Sequence, residues 1–114
     1  MTIDVLTAKI KAFRDERDWV PFHNHKDMAA ALAIEASELQ ELFLWKSPGE
    51  LTDIAISKKE LLADELADVA IYLFELADNL SVNLAEAIDQ KLLKNAQKYP
   101  VSRAQGTNKK YNEL

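Results

Sequence analysis

An all-α protein is what this sequence predicts, and three observations carry that expectation. Only two glycines and three prolines occur in 114 residues, while Leu, Ala, Glu and Lys are abundant. Apolar residues recur at intervals of three and four along four separate segments. Capping signatures precede those segments, and proline follows three of the four. With short links between helices, the expected architecture is a four-helix bundle-like single domain over residues 1–114.

The first helix is capped by Thr2 or Asp4 and places Ile3, Leu6, Ile10 and Phe13 on one side. Pro21 disfavours helical geometry at Val20, so Trp19 to Phe22 is expected to end that helix. His23-Asn24-His25 reads as loop, and Asp27 as the cap of a second helix from about Met28 to Lys46. Ser47-Pro48-Gly49 stops it, and Glu50 to Ile56 is a connection with no assigned structure. Ser57 and Glu60 have the spacing of a capping box and open a third helix to about Asn79.

That third helix carries Leu62, Leu66, Val69, Leu73, Leu76 and Ala77 on a face covering about half its circumference. Burial on two sides is expected, through oligomerisation or a central place in the bundle. Asn83 with Glu86 opens a fourth helix, with Leu84, Ile88, Leu92, Ala96 and Tyr99 inward and Asn95 on the same side. Pro100 ends it. Residues 102–114 form a polar tail containing Arg103, Lys109 and Lys110, mobile when alone.

The balance of residues excludes several classes. Without cysteine there is no disulfide framework, thiolate metal site or thiol nucleophile. A formal charge of −5 argues against a nucleic-acid polymer as partner. No apolar run reaches the roughly 20 residues of a membrane span, and no signal-peptide pattern opens the chain, so a cytoplasmic protein is expected. There is no phosphate-cradling glycine loop, because the glycines are Gly49 and Gly106.

The chemistry points to carboxylates. Glu35 and Glu38 project from one face of the second helix, and Glu65 and Asp68 from one face of the third. At about 100° per residue, Glu35 falls within the apolar stripe of Met28, Leu32, Leu39, Leu42 and Phe43, with Glu38 at its edge. An acid on a core-facing stripe is costly to bury unless something positive meets it. Glu41, Asp64, Glu75 and Asp78 read instead as surface charges. Four oxygen donors without Cys or His suit Mg²⁺, or Mn²⁺, better than zinc. The Glu-x-x-His pairs of di-iron bundles are absent. Trp45 projects on the side of Glu38, and Tyr72 continues from Asp68, so a planar base can stack where those edges meet. His23 and His25 are expected in an exposed loop rather than on zinc.

At these residues the sequence resembles the all-α nucleoside triphosphate pyrophosphohydrolases of the MazG-like superfamily, whose signature is Glu-x-x-Glu, a spacer, then Glu-x-x-Asp. Here 26 residues separate Glu35-Ala-Ser-Glu38 from Glu65-Leu-Ala-Asp68. The surrounding text is similar to the dCTP pyrophosphatase branch: Phe13 to Trp19, Phe22-His23, Leu42-Phe43-x-Trp45-Lys46, Val69-x-Ile71-Tyr72-Leu73, Lys98-Tyr99-Pro100 and Lys110-Tyr111. Ile34 stands where many members carry a further Glu, and this branch tends to be apolar there.

The resemblance implies a helical bundle assembling as a homotetramer of two dimers, or a homodimer. It implies Mg²⁺-dependent hydrolysis of a (deoxy)nucleoside triphosphate, dCTP in this branch, to the monophosphate and pyrophosphate; a stacking pocket with one amide can accept adenine as well as cytosine, so dATP is a second expected substrate. Glu35, Glu38, Glu65 and Asp68 would hold the metal, and Trp19, His23, Trp45 and Tyr72 would line the base and sugar pocket. Asn95 would offer an amide to base or sugar, and Lys98, Lys109 and Lys110 would meet phosphates. Glu38 is the expected general base. Two alternatives stay open: a non-catalytic helical module binding a nucleotide or protein, and a dUTP-preferring relative.

Overall fold

The computed structural model describes residues 1–114 and contains helices and turns without a strand. Six α-helices form: α1 Ile3–Asp15, α2 His25–Glu41, α3 Pro48–Ser57, α4 Lys59–Asn79, α5 Leu84–Lys98 and α6 Val101–Ala104. The chain divides into two compact units, Met1–Ser81 and Val82–Leu114. No helix is long and apolar enough to cross a membrane.

In the first unit the helix starts are set by local hydrogen bonds. The Thr2 hydroxyl accepts from the Val5 amide at 3.1 Å and opens α1. That helix stops at Asp15, earlier than Pro21 suggests. The reason is Asp18, which adopts a left-handed φ of 54° while the Trp19 amide donates back to the Arg14 carbonyl at 3.2 Å. Pro21 then sits in a single 3-10 turn, Val20–Phe22.

Asn24, rather than Asp27, caps α2: its side chain accepts from the Asp27 amide at 2.9 Å. Asp27 lies inside the first turn, where a negative charge suits the helix dipole. The expected end at Lys46 is also corrected. The amides of Leu42, Phe43 and Leu44 bond to carbonyls three residues back, and Trp45 turns the chain with φ 61°.

The stretch left without structure between Glu50 and Ile56 is helix α3. Ser47 and Glu50 form its capping box, with the Glu50 amide 3.4 Å from Ser47 Oγ and the Ser47 amide 3.3 Å from Glu50 Oε1. Pro48 occupies the first turn, where a missing N–H leaves nothing unsatisfied. Ser57 therefore closes α3, and α4 starts after Lys58 without a side-chain cap.

Helix α4 packs against α1, α2 and α3, which accounts for its wide apolar face. Met28 of α2, Ile54 of α3 and Ala77 of α4 are the buried apolar residues. Coverage is incomplete: Ile34 remains 59% exposed, Leu66 56% and Ile71 41%.

In the second unit the Asn83 side chain accepts from the Glu86 amide at 3.1 Å and opens α5. The segment read as a polar tail contains α6 and a 3-10 turn, Tyr111–Glu113. The Tyr111 ring meets Tyr99 edge-on at 6.2 Å, with Lys98 Nζ 4.9 Å from its centre.

Candidate metal centre and adjoining cavity

Helices α2 and α4 present the carboxylates to one another. One oxygen each from Glu35, Glu38 and Glu65 lies within 4.8 Å of the others. Asp68, a turn further along α4, lines a cavity together with Glu35. Two oxygens, Glu35 Oε2 and Glu65 Oε2, are buried without a hydrogen-bond partner. At an effective dielectric near 20, like charges at this separation repel by roughly 3 kcal/mol per pair.

That repulsion shows in the proton affinities. Burial first, then hydrogen bonding and charge from Glu38, then Asp68 and Glu65, push Glu35 up to about 7. Burial and the charges of Glu38 and Asp68 also raise Glu65. Burial and the charges of Glu35 and Asp68 raise the Tyr72 hydroxyl, which stays protonated and able to donate. Buried acceptor-only oxygens, unpaired and mutually repelling, fit a hard divalent cation.

Beside this cluster lies a cavity of about 200 Å³ lined by Phe13, Arg14, Trp19, His23, Glu35, Asp68, Ile71, Tyr72 and Glu75, with Ile10. Phe13 meets Trp19 edge-on at 5.8 Å, and the Arg17 guanidinium lies 3.6 Å from the centre of the Phe13 ring. Trp19, His23 and Tyr72 are thus brought together with Glu35 and Asp68.

Trp45 does not share that lining. It lies beyond the end of α2, where it turns the chain with φ 61°, and is 91% exposed. Asn95, Lys98, Lys109 and Lys110 belong to the second unit.

One expectation is overturned outright. Glu75 is not a surface charge but one of the most buried residues, 2% exposed. Its carboxylate oxygens lie 2.8 and 3.0 Å from His23 Nδ1, and it accepts from Asn79 Nδ2 at 3.2 Å, with Arg14 Nη1 3.8 Å away. His23 is accordingly held by Glu75 rather than free in a loop. Arg14 also donates to Asp15 at 2.9 Å and to Asn79 at 3.4 Å. The signal for this network lay in the spacing: Glu65, Asp68, Tyr72, Glu75 and Asn79 form one continuous stripe on α4.

Fold and site together define an all-α protein in which an acidic cluster adjoins an aromatic-lined cavity. The model of the MazG-like family matches residues 30–114, and this chain belongs to that family. It is 43% identical over 104 residues to dCTP pyrophosphatase 1 of Rattus norvegicus and 41% identical to that of Homo sapiens, in each case over 90% of this chain and 61% of the relative. The chain thus spans about three fifths of the length of those curated relatives. A crystal structure of a pyrophosphatase from Archaeoglobus fulgidus superposes with a TM-score of 0.81 at 38% identity, covering 85% of this chain and 91% of that one.

Proposed function

We propose that this protein is a cytosolic pyrophosphohydrolase that converts deoxynucleoside triphosphates, dCTP and dATP foremost, to the monophosphate and pyrophosphate. The observation that carries the reading is the meeting of Glu35, Glu38 and Glu65 oxygens within 4.8 Å beside a cavity lined by Trp19, His23 and Tyr72. The names of its relatives support the reaction and the base.

Glu35, Glu38 and Glu65, joined by Asp68, would hold Mg²⁺, with Mn²⁺ as substitute. A bound divalent cation supplies charge that screens a triphosphate from these carboxylates and stabilises the departing pyrophosphate. Glu38 is the exposed member of the trio and serves as the base that orients and deprotonates the attacking water. Trp19 and Tyr72 sandwich the base, and the protonated Tyr72 hydroxyl donates to base or sugar. The roles of Trp45 at the base, Asn95 at base or sugar, and Lys98, Lys109 and Lys110 at phosphates rest on the family resemblance alone.

Assembly follows from the uncovered apolar surface. Ile34, Leu66 and Ile71 are each more than two fifths exposed, and exposed apolar residues of this kind are covered in a homo-oligomer. A homotetramer built from two dimers is the proposed state, with a homodimer as the alternative; light scattering coupled to size exclusion separates them.

The deciding experiment incubates the protein with each dNTP, and with dUTP, in the presence of Mg²⁺ and identifies the products. dCMP with pyrophosphate is expected, with loss of turnover on chelation. A folded, metal-replete protein that yields no monophosphate from any nucleotide overturns the proposal, and faster turnover of dUTP than dCTP reassigns the base.

A further inference from the structure

We propose that Glu75 is a positioning residue that fixes the hydrogen-bonding role of His23, so that the cavity favours bases bearing an exocyclic amine over 4-keto pyrimidines. The inference rests on the pyrophosphohydrolase reading and deepens it.

Glu75 is held in one orientation. Its Oε2 accepts from Asn79 Nδ2 at 3.2 Å and lies 3.8 Å from Arg14 Nη1, itself a buried and permanent cation. Both carboxylate oxygens are within 3.0 Å of His23 Nδ1. An ionised carboxylate only accepts, so the ring proton must reside on Nδ1. His23 Nε2 has no protein partner and, in the neutral ring, carries a lone pair. His23 shares the cavity wall with Trp19 and Tyr72.

A base stacked in that cavity meets an acceptor at His23. The amino group of cytosine or adenine donates to it. The 4-keto oxygen of uracil or thymine sets lone pair against lone pair, leaving two polar atoms unpaired away from water. Sites built around one such hydrogen bond discriminate strongly against the analogue that lacks it.

The test is a change of one atom. In Glu75→Gln, Asn79 and Arg14 still require an acceptor at the Oε2 position, which directs the amide nitrogen to the Oε1 position, so His23 Nδ1 faces one oxygen at 2.8 Å and one N–H donor at 3.0 Å instead of two acceptors. The two-oxygen restraint that holds the proton on Nδ1 is thereby lost, and the ring becomes free to carry it on Nε2. At pH 8, where an ordinary imidazole is neutral, the ratio of kcat/KM for dCTP to that for dUTP should fall at least about tenfold, with dUTP gaining. A merely structural role lowers both substrates together and leaves the ratio in place, which overturns the proposal. Nitrogen-15 NMR of the wild-type imidazole rings gives a second reading that does not depend on the variant folding, with exposed His25 as the reference. His23 should show protonated Nδ1 and unprotonated Nε2; the opposite tautomer overturns the role of Glu75. A wild-type protein that hydrolyses no nucleotide overturns the reaction and the base preference together. Turnover of dCTP with an unchanged ratio in Glu75→Gln overturns the inference alone.

Discussion

Glu65 and Glu75 lie about three turns apart on one stripe of α4, yet their surroundings are opposite. Glu65 has a buried oxygen with no partner and faces Glu35 and Glu38. Glu75, buried more deeply, meets His23, Asn79 and Arg14. Depth alone therefore does not mark a ligand-binding acid. What separates the two is the partner inventory: one group of acids satisfies its charge within the chain, and the other leaves that to something the chain does not contain.

The contrast is open to test from both ends. The largest effect is expected at Glu38→Gln, where turnover of dCTP should drop by about a thousandfold or more while the far-ultraviolet circular dichroism is unchanged. Retained activity would remove Glu38 from the mechanism. Next, Arg14→Met leaves Glu75 buried beside His23 without its permanent cation and should destabilise the protein by about 2–3 kcal/mol in urea unfolding. The same experiment on Glu35→Gln, without metal, should give the opposite sign, a gain of about 1 kcal/mol, because a repelling charge is removed. Equal signs for the two variants would erase the distinction between the sites.

The smallest effect is a slope with pH. Glu35 is raised to about 7, so from about pH 4.5 to 7 the folded chain holds a proton that the unfolded chain has released. Stability of the metal-free protein should therefore decline as pH rises through that window. Saturating Mg²⁺ should flatten or reverse the trend, since the cation replaces the proton. A metal-free midpoint that rises with pH over the same window would contradict the shift at Glu35.

Much of this was legible in the sequence, for identifiable reasons. Thr2 and Asn83 announce helix starts because a short polar side chain meets an amide three residues on, a strictly local matter. The acidic pairs are legible because in each pair the two acids lie three residues apart and share one face of their own helix. Where two local signals compete, the sequence misleads: Ser47 with Glu50 and Ser57 with Glu60 have the same spacing, and only the first forms a capping box. The Glu75 network was missed because its partners, Arg14 and His23, lie 61 and 52 residues away in the chain. The helical register drawn for Trp45 does not apply, because α2 ends at Glu41 rather than Lys46 and Trp45 turns the chain.

The shared acceptor at Glu75 has a consequence for how this sequence can drift. Arg14, His23 and Asn79 all converge on one carboxylate, so the effect of replacing any one depends on the state of the other two. Single steps away from the present set strand a charge or a donor in the interior. Among descendants of this chain these four positions should therefore change in concert or stay as they are, while the neighbouring exposed acids Asp64 and Asp78 remain free to vary one at a time.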